Sequence, residues 1–428
     1  MERDSTQVNT AIAASNLAQE VMRRCRVLAS FSEDSAGTRR SFLSPPMHEV
    51  HREISRWLQP LGVNMRLDAM GNLRAVYPAA VTPAPRLLIG SHLDTVPNAG
   101  AYDGILGVMI AIALLEALHG RRLPYAIEVV GFSDEEGIRF GIPFLGSRAL
   151  VGRIDEELLM ATDAAGVCVR EAIAQFGRNP DELAGARLAS DVCGYLEFHI
   201  EQGPALEKLD LPLAVVDAIA GQTRLEVTFV GRANHAGTTP MDSRCDAIAG
   251  AAEWIMLVER EANAVTGLVA TVGSVRAHPG AANVIAGEAH LSLDIRHHDD
   301  ATRNRAVKTF VREARQIAAN RGLTLRHATH LDQPAVAMDR FLSDQIEAAI
   351  QSAGCRPHRM TSGAGHDAMI LTEKVPAAMI FLRTPGGISH DPAESVAPAD
   401  VEKAIACGVH LLDQLASTPA FLTRTLRA

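Results

Sequence analysis

Three consecutive segments decide the fold: RLLIGSHLDT (86–95), GILGVMIAIALLEALH (104–119) and YAIEVVGFSDEEG (125–137). The first and third are short apolar runs that end in polar residues, a pattern typical of buried strands. The middle segment is apolar on nearly every face, as expected of a helix buried against a sheet. Strand, helix and strand in this order predict an α/β fold with a mixed, largely parallel sheet flanked by helices. Ligands bind beyond the carboxyl ends of such strands, where this chain places its polar clusters.

A different pattern begins after Ile219 and predicts a second domain. Its alternating strands and its helices are QTRLEVTFVG (222–231), a helix over 246–264, LVATVGSVRA (268–277), EAHLSLDIRH (288–297), a helix over 301–320 and LTLRHATHL (323–331). This βαββαβ order is ferredoxin-like. Because strands followed by polar loops resume afterwards, we expect residues 219–332 to be inserted into a catalytic domain made of 1–218 and 333–428.

Composition narrows the class of protein. A chain of 428 residues is long enough for two domains, and its formal net charge of −9 offers no basic surface for nucleic acid or an anionic membrane. The first residues, MERDSTQVNT, have no apolar leader segment, and no apolar run is long enough to span a bilayer. The cysteines form no C-x-x-C pair, which argues against a disulfide framework. We therefore expect a cytoplasmic protein with a small-molecule partner, no nucleic acid and no membrane.

Histidines and carboxylates cluster beside glycines at the ends of predicted strands. The segments are SHLDTV (91–96) with AYDG (101–104), SDEEG (133–137), EFHIEQG (197–203) and ISHDPAE (388–394). Imidazole and carboxylate suit zinc, manganese or cobalt, and a shared carboxylate can hold two ions about 3.5–4 Å apart. An ordinary alternative for Glu135 and Glu136 is a solvated loop. They follow an apolar run that should be buried, however, and two buried acids need a metal or hydrogen bonds.

The ordered motifs carry a family resemblance: GSHLDTV, YDGILGV, FSDEEGIRF, EFHIEQGP, GRANHAGTTPMDSRCDA, LDIRH, SGAGHDAM and GISHDPAE. Together they resemble the aminoacylase/carboxypeptidase-type family of binuclear metallohydrolases (peptidase family M20). Within it they are similar to the branch of N-carbamoyl-L-amino-acid hydrolases, allantoate amidohydrolases and β-ureidopropionases. The resemblance covers roughly residues 10–415. It implies a phosphorylase/hydrolase-like catalytic domain with an inserted lid and dimerisation domain.

The resemblance implies a binuclear metal site. His92 and His199 would hold the first ion with Asp103, and Glu136 and His390 would hold the second with the same Asp103. The expected cofactors are two divalent ions per subunit, which could be zinc, manganese, cobalt or nickel. A histidine at position 199, where the peptidase branches usually have a carboxylate, favours the ureide-cleaving branch.

The same resemblance implies catalytic roles for three further residues. Glu135 would be the general base, Asp94 would orient His92 from behind, and His235 would stabilise the tetrahedral oxyanion. The expected reaction is hydrolysis of the ureido (N-carbamoyl) C–N bond of a small carboxylate substrate, with release of ammonia and CO2. The enzyme class is a hydrolase of carbon–nitrogen bonds other than peptide bonds.

The expected substrate contacts come from both domains. They are Gln202, His235, Asn283, Arg296 and Gly365, of which Arg296 suits the substrate carboxylate because its planar fork binds carboxylates bidentately. We expect a homodimer in which His235 and Asn283 could act in the neighbouring subunit. His366 and Asp367 are expected to shape the substrate pocket and not to bind metal.

Two alternatives stay open at this point. The first is an N-acyl amino acid deacylase or dipeptidase of the same fold, against which His199, Arg296 and Asn283 argue. The second is a non-catalytic binding protein, but no metal ligand and no general base is missing. Among ureides, the sequence leans to an N-carbamoyl-L-amino acid or allantoate over β-ureidopropionate.

Overall fold

The computed structural model describes residues 2–424, with side chains described from residue 15 onward. The chain divides into two compact units. The first comprises the chain up to Asp217, Met338–Met360 and the chain from His366 onward. The second comprises Ala218–Ala337 and Thr361–Gly365. No helix among the described residues is both long and apolar enough to cross a membrane.

The helices and strands have the following bounds. The α-helices are α1 (Glu2–Ala29), α2 (Pro46–Leu58), α3 (Ile105–Ala117), α4 (Leu145–Val151), α5 (Glu156–Leu159), α6 (Val169–Gln175), α7 (Ala205–Leu209), α8 (Ala247–Asn263), α9 (Asp300–Asn320), α10 (Arg340–Ser352), α11 (Asp367–Leu371), α12 (Pro398–Ala416) and α13 (Pro419–Leu422). The strands are β1 (Thr38–Arg40), β2 (Met65–Leu67), β3 (Leu73–Tyr77), β4 (Arg86–His92), β5 (Thr95–Ala99), β6 (Ala126–Phe132), β7 (Val192–Ile200), β8 (Leu213–Ile219), β9 (Gly221–Val230), β10 (Asn234–His235), β11 (Val269–His278), β12 (Val284–Ile285), β13 (Glu288–His297), β14 (Thr324–Gln333), β15 (Val336–Ala337), β16 (Arg359–Ser362) and β17 (Ala377–Leu382).

The first unit is built on a mixed sheet whose centre is parallel. In the order β8-β17-β7-β4-β6-β3-β2, the neighbours β17, β7, β4 and β6 run parallel. Strands β8 and β3 flank them and are antiparallel to them, and β2 pairs antiparallel with β3. The four parallel strands are almost entirely buried, which is why their sequences are continuous apolar runs. Their carboxyl ends lie at one edge of the sheet, and the polar segments follow there. The predicted α/β class is confirmed.

Helix α3 connects β4 to β6 and packs against the sheet. Every residue from Ile105 to Leu115 is buried, which matches a helix that is apolar all round. It packs against β4, β6 and β7, and α1 and α12 cover it from outside. The amino end of α3 is thereby fixed at the edge where the central strands end.

The second unit has the predicted βαββαβ order, formed by β9, α8, β11, β13, α9 and β14. Its antiparallel sheet has the order β11-β13-β9-β14. Helices α8 and α9 pack side by side on the face that carries Leu225, Val227 and Phe229, which are fully or almost fully buried. The opposite face of this sheet is polar. A role of this unit as a lid or dimerisation domain stays a prediction.

Candidate metal centre

Five potential ligands lie at the carboxyl ends of the parallel strands in the first unit. His92 is the last residue of β4, Asp103 directly precedes Gly104 and α3, and His199 is near the end of β7. Glu136 follows β6, and His390 lies in the loop after β17. Chain segments up to about 300 residues apart in sequence therefore converge because parallel strands end at the same edge.

The first group consists of His92, Asp103 and His199, all buried. The Nε2 atoms of the two histidines lie 3.6 Å and 3.2 Å, respectively, from Oδ1 of Asp103. The two Nε2 atoms are 3.3 Å apart. Three nitrogen and oxygen atoms thus face one small volume.

The second group shares Asp103 and adds Glu136 and His390. Nε2 of His390 lies 3.2 Å from Oδ2 of Asp103 and 3.6 Å from Oε1 of Glu136. The two oxygens of Asp103 therefore face different groups, Oδ1 the first and Oδ2 the second. Burial alone would raise the pKa of Asp103, but the three imidazoles that surround its carboxylate lower it well below its usual range.

The histidine tautomers show that a cation fits the first group. Nδ1 of His92 lies 3.0 Å from the carbonyl oxygen of Asp94, and Nδ1 of His199 lies 2.9 Å from that of Ile200. A carbonyl oxygen only accepts, so both Nδ1 atoms carry the proton and, in the neutral rings, both Nε2 atoms present lone pairs. Two lone pairs facing each other beside a buried carboxylate repel, and a divalent ion among them removes the repulsion. The nitrogen and oxygen donors suit zinc, manganese or a similar ion.

Gly104 adopts a conformation that brings the chain against His92. Its φ of 68° and ψ of −57° form a γ-turn, closed by the Ile105 amide donating to the Asp103 carbonyl at 2.8 Å. A Cβ at this position would lie 2.5 Å from atoms of the His92 ring. Glycine is therefore required between the shared carboxylate and α3.

Asp94 contacts His92 through its carbonyl and its carboxylate. Its carbonyl holds His92, while its carboxylate is 3.5 Å from Nδ1 of that ring. Both carboxylate oxygens also accept backbone hydrogen bonds, from the amides of Glu135 and Glu136 at 3.0 Å each. Two buried backbone donors need acceptors, and Asp94 supplies both. It thereby sets the turn that carries the candidate base Glu135 and the candidate ligand Glu136.

Glu135 is buried at the edge of both groups. One of its oxygens lies close enough to His92 and Glu136 to form a third grouping of possible ligand atoms. Burial raises the pKa of Glu135 well above its usual range, against the attraction of His92. Burial and Asp103 likewise raise the pKa of Glu136, to about 7.

Gln202 lies in the centre itself. Its side-chain amide donates to Oδ2 of Asp103 at 3.0 Å and to the Ser389 hydroxyl at 3.2 Å. Its Nε2 is also 3.4 Å from Nε2 of His390. Gln202 can exchange these contacts for contacts with a bound molecule.

Two supporting carboxylates received no role from the sequence. Oε1 of Glu394 accepts from the amides of Tyr102 and Asp103 at 2.8 and 3.0 Å and so fixes the shared ligand. Glu197, two residues before His199 on β7, accepts from Ser91 and from the amide of Ala368. Only their positions in the sequence could have indicated these roles. Glu394 lies in the ISHDPAE segment, and Glu197 is an acid inside an apolar strand.

His366 lies deeper than expected of a pocket-shaping loop. It is buried, and its ring packs edge-on against that of His199 with centroids 4.4 Å apart. Together with Glu197 it forms a further grouping around His199. Burial, with the charge of His199, lowers the pKa of His366 well below its usual range. A neutral His366 thus packs beside the candidate ligand His199.

The second unit holds the remaining candidates. His235 and Asn283 are exposed neighbours: His235 pairs with Val284 between β10 and β12, and the Ala236 amide donates to the Asn283 carbonyl at 2.9 Å. Nδ1 of His235 accepts from the Gly237 amide at 3.1 Å. In the neutral ring the proton is therefore on Nε2, which is free to donate.

Arg296 lies on β13 of the same unit. Its Nη1 donates to the Gly363 carbonyl at 2.6 Å, two residues before Gly365. Its Nε donates to Asp294 at 2.9 Å. Arg296 and Gly363 also line one cavity of about 560 Å³, which lies wholly within this unit.

Comparison with known proteins decides the family. The model of peptidase family M20/M25/M40 matches residues 88–414. The chain belongs to this family. Among curated M20/M25/M40 relatives, it is 36% identical to "Allantoate deiminase 2" of Glycine max, over 93% of this chain and 90% of that protein. It is also 36% identical to "N-carbamoyl-L-amino acid amidohydrolase" of Geobacillus stearothermophilus, over 85% of this chain and 89% of that protein.

A solved structure of the same kind is similar along nearly the whole chain. It is the hydantoinase/carbamoylase family amidase from Burkholderia multivorans, with a TM-score of 0.88 and 30% identity. The similarity covers 94% of this chain and 98% of that one. The resemblance read from the motifs is confirmed at the level of the family and its ureide-cleaving branch.

Proposed function

We propose that this protein is a metal-dependent amidohydrolase that cleaves the ureido C–N bond of a small carboxylate-bearing ureide. The balanced reaction is R–NH–CO–NH2 + H2O → R–NH2 + CO2 + NH3. One observation carries the proposal: Asp103 is shared by two groups of imidazole and carboxylate ligands, with Glu135 beside them. The chain is thus a hydrolase of carbon–nitrogen bonds other than peptide bonds, in line with relatives named as allantoate deiminases and N-carbamoyl-L-amino-acid amidohydrolases.

The proposed cofactors are two divalent ions. His92 and His199 would hold one, Glu136 and His390 the other, and Asp103 both. When bound, such ions polarise a carbonyl oxygen and bring the pKa of water toward neutrality. The native ion can be zinc, manganese, cobalt or nickel, because the donor set accepts each of them.

Glu135 is the proposed general base. It takes a proton from the attacking water at a carboxylate oxygen and delivers it to the departing nitrogen. Its backbone is fixed by Asp94, whose carboxylate accepts the Glu135 amide hydrogen at 3.0 Å. Proton transfer by a side chain positioned in this way accelerates reactions by about 10²- to 10⁴-fold.

The second unit is proposed to bind and polarise the substrate. His235 donates from Nε2 to the oxygen that becomes negative in the transition state, a contact worth about 3 kcal/mol in comparable sites. Asn283 and Arg296 hold the substrate carboxylate, and Gln202 and Gly365 are the further proposed substrate contacts.

The proposed assembly is a homodimer in which the second unit acts as lid and dimerisation domain. His235 and Asn283 are exposed within their own unit, which suits contact with a substrate or a neighbouring active site. A cytoplasmic location is proposed as well, in keeping with six free cysteines. Analytical ultracentrifugation tests the assembly: a monomer with full activity contradicts it.

Ammonia release tests the function. Chelated protein, refilled with Mn²⁺ or Zn²⁺, is incubated with N-carbamoyl-L-amino acids, allantoate, β-ureidopropionate and N-acetyl amino acids. We expect metal-dependent ammonia from an N-carbamoyl-L-amino acid or from allantoate. Hydrolysis of the acetyl compounds alone would place the protein among the deacylases.

A further inference from the structure

Four polar residues lie together on the face of the second-unit sheet that α8 and α9 leave uncovered. Asp294 pairs with Arg224 across β13 and β9, and Arg296 pairs with Gln222. Residues two apart on a strand share a face, so all four side chains leave the sheet on the same side. We call this group the polar quartet.

Asp294 is the acceptor at the centre of the polar quartet. Its Oδ1 accepts from Nε of Arg296 at 2.9 Å, and its Oδ2 lies 3.3 Å from Nη2 of the same side chain. Nε of Arg224 donates to Oδ2 at 3.0 Å, and the Gln222 amide donates to the same oxygen. One carboxylate thus binds one guanidinium bidentately and steadies two further donors.

The contacts of Arg296 leave it ready for a second anion. A guanidinium has five N–H groups in one plane. Asp294 occupies those on Nε and one on Nη2, and the Gly363 carbonyl occupies one on Nη1. One N–H therefore remains on each terminal nitrogen, beside the cavity of about 560 Å³ that Asp294 and Arg296 both line. A carboxylate is the ligand that such a fork prefers.

We infer that Asp294 is a positioning residue: it holds the Arg296 fork in place for the substrate carboxylate. The inference rests on the proposed function, in which Arg296 binds that carboxylate. A free arginine side chain loses rotamer entropy when a ligand fixes it, and Asp294 removes much of this cost in advance. Asp294 itself does not touch substrate in this account.

The test compares two substrates that differ only at the carboxylate. Ammonia release is measured from an N-carbamoyl-L-amino acid and from its carboxamide, with wild type, Asp294→Asn and Arg296→Ala. We expect Asp294→Asn to lower kcat/KM for the acid about tenfold, mainly through KM. For the carboxamide we expect almost no change, because the carboxylate that Arg296 binds is missing. In the double variant, Asp294→Asn should add little to Arg296→Ala.

The ratio of the two activities within one variant does not depend on how much of it is folded. Glu288→Gln is the matched control, since Glu288 also lies on β13 and accepts from an arginine, Arg326, at 3.0 Å. It should leave both activities unchanged. Equal losses on acid and carboxamide in Asp294→Asn, or no loss on either, overturn the positioning role while the function stands. A wild-type protein that releases no ammonia from any ureide overturns the proposed function, and the role of Asp294 with it.

Discussion

Replacing Gly104 by alanine tests whether the turn between Asp103 and α3 sets the metal site. At this residue φ is +68°, and a Cβ would lie 2.5 Å from three atoms of the His92 ring. Alanine must either adopt a strained backbone or push the imidazole away from Asp103. The first response strains the turn after Asp103, which both groups share, and the second moves His92, a candidate ligand of the first group.

The expected magnitude follows from the strain. A non-glycine residue in a sparsely populated backbone region costs about 1–3 kcal/mol. Without metal, the backbone of the variant can relax, and it must form the strained turn again when Mn²⁺ binds. The cost of the strain is then subtracted from the free energy of metal binding. At about 1.4 kcal/mol per factor of ten, Mn²⁺ affinity should fall about 5-fold to about 150-fold.

Calorimetric titration of chelated protein with Mn²⁺ measures this loss, and thermal unfolding measures stability alongside it. Gly120→Ala is the matched control, because Gly120 has a φ of +82° but nothing within 4 Å of a built Cβ. It should lose stability and keep its metal affinity. Wild-type Mn²⁺ affinity in Gly104→Ala would refute the reasoning.

Three further predictions concern Glu135, His51 and Asp94. Glu135→Gln should keep its metal content, measured by mass spectrometry, and lose about 10²- to 10⁴-fold in kcat; unchanged kcat excludes Glu135 as the base. Burial, with the charges of His48 and Arg178, lowers the pKa of His51 to about 3. In the unfolded chain the same imidazole takes up a proton below about pH 6.5, whereas in the native state it stays neutral. The stability that His51 contributes above about pH 6.5 is therefore lost as pH falls, by about 2 kcal/mol at pH 5. In urea unfolding, the free energy of unfolding of His51→Leu should lack this dependence on pH. An equal pH dependence in both proteins contradicts the assignment. Asp94→Ala, which frees the amides of Glu135 and Glu136, should weaken metal binding or activity about 10- to 100-fold. Unchanged metal affinity and activity would contradict the positioning role of Asp94.

Much of the fold could be predicted because its signals are local. The all-apolar segment 104–119 became α3 (Ile105–Ala117), and EAHLSLDIRH became β13 with the same ends. Periodicity records burial within one element. It does not record strand direction, which is why the sequence did not show that β3 and β8 run antiparallel to the central strands.

The candidate site, too, could be predicted only in part from the sequence. Histidines and acids at strand ends mark the candidate ligands, and the family motifs added proposed roles. Glu394 holds the Asp103 amide from 291 residues away in sequence, and only the fold brings them together. The carboxylate of Asp94 also accepts from the amides of Glu135 and Glu136. Buried amides need acceptors, but this need appears only once the turn is formed.

The most direct test of the central claim is a metal titration of activity. Chelated protein receives Mn²⁺ in steps while ammonia release from its best ureide and bound metal per chain are measured together. The account predicts no ammonia without metal and full activity as the second ion binds. Full activity of a metal-free protein, or a plateau at one ion per chain, would contradict a binuclear centre built around Asp103.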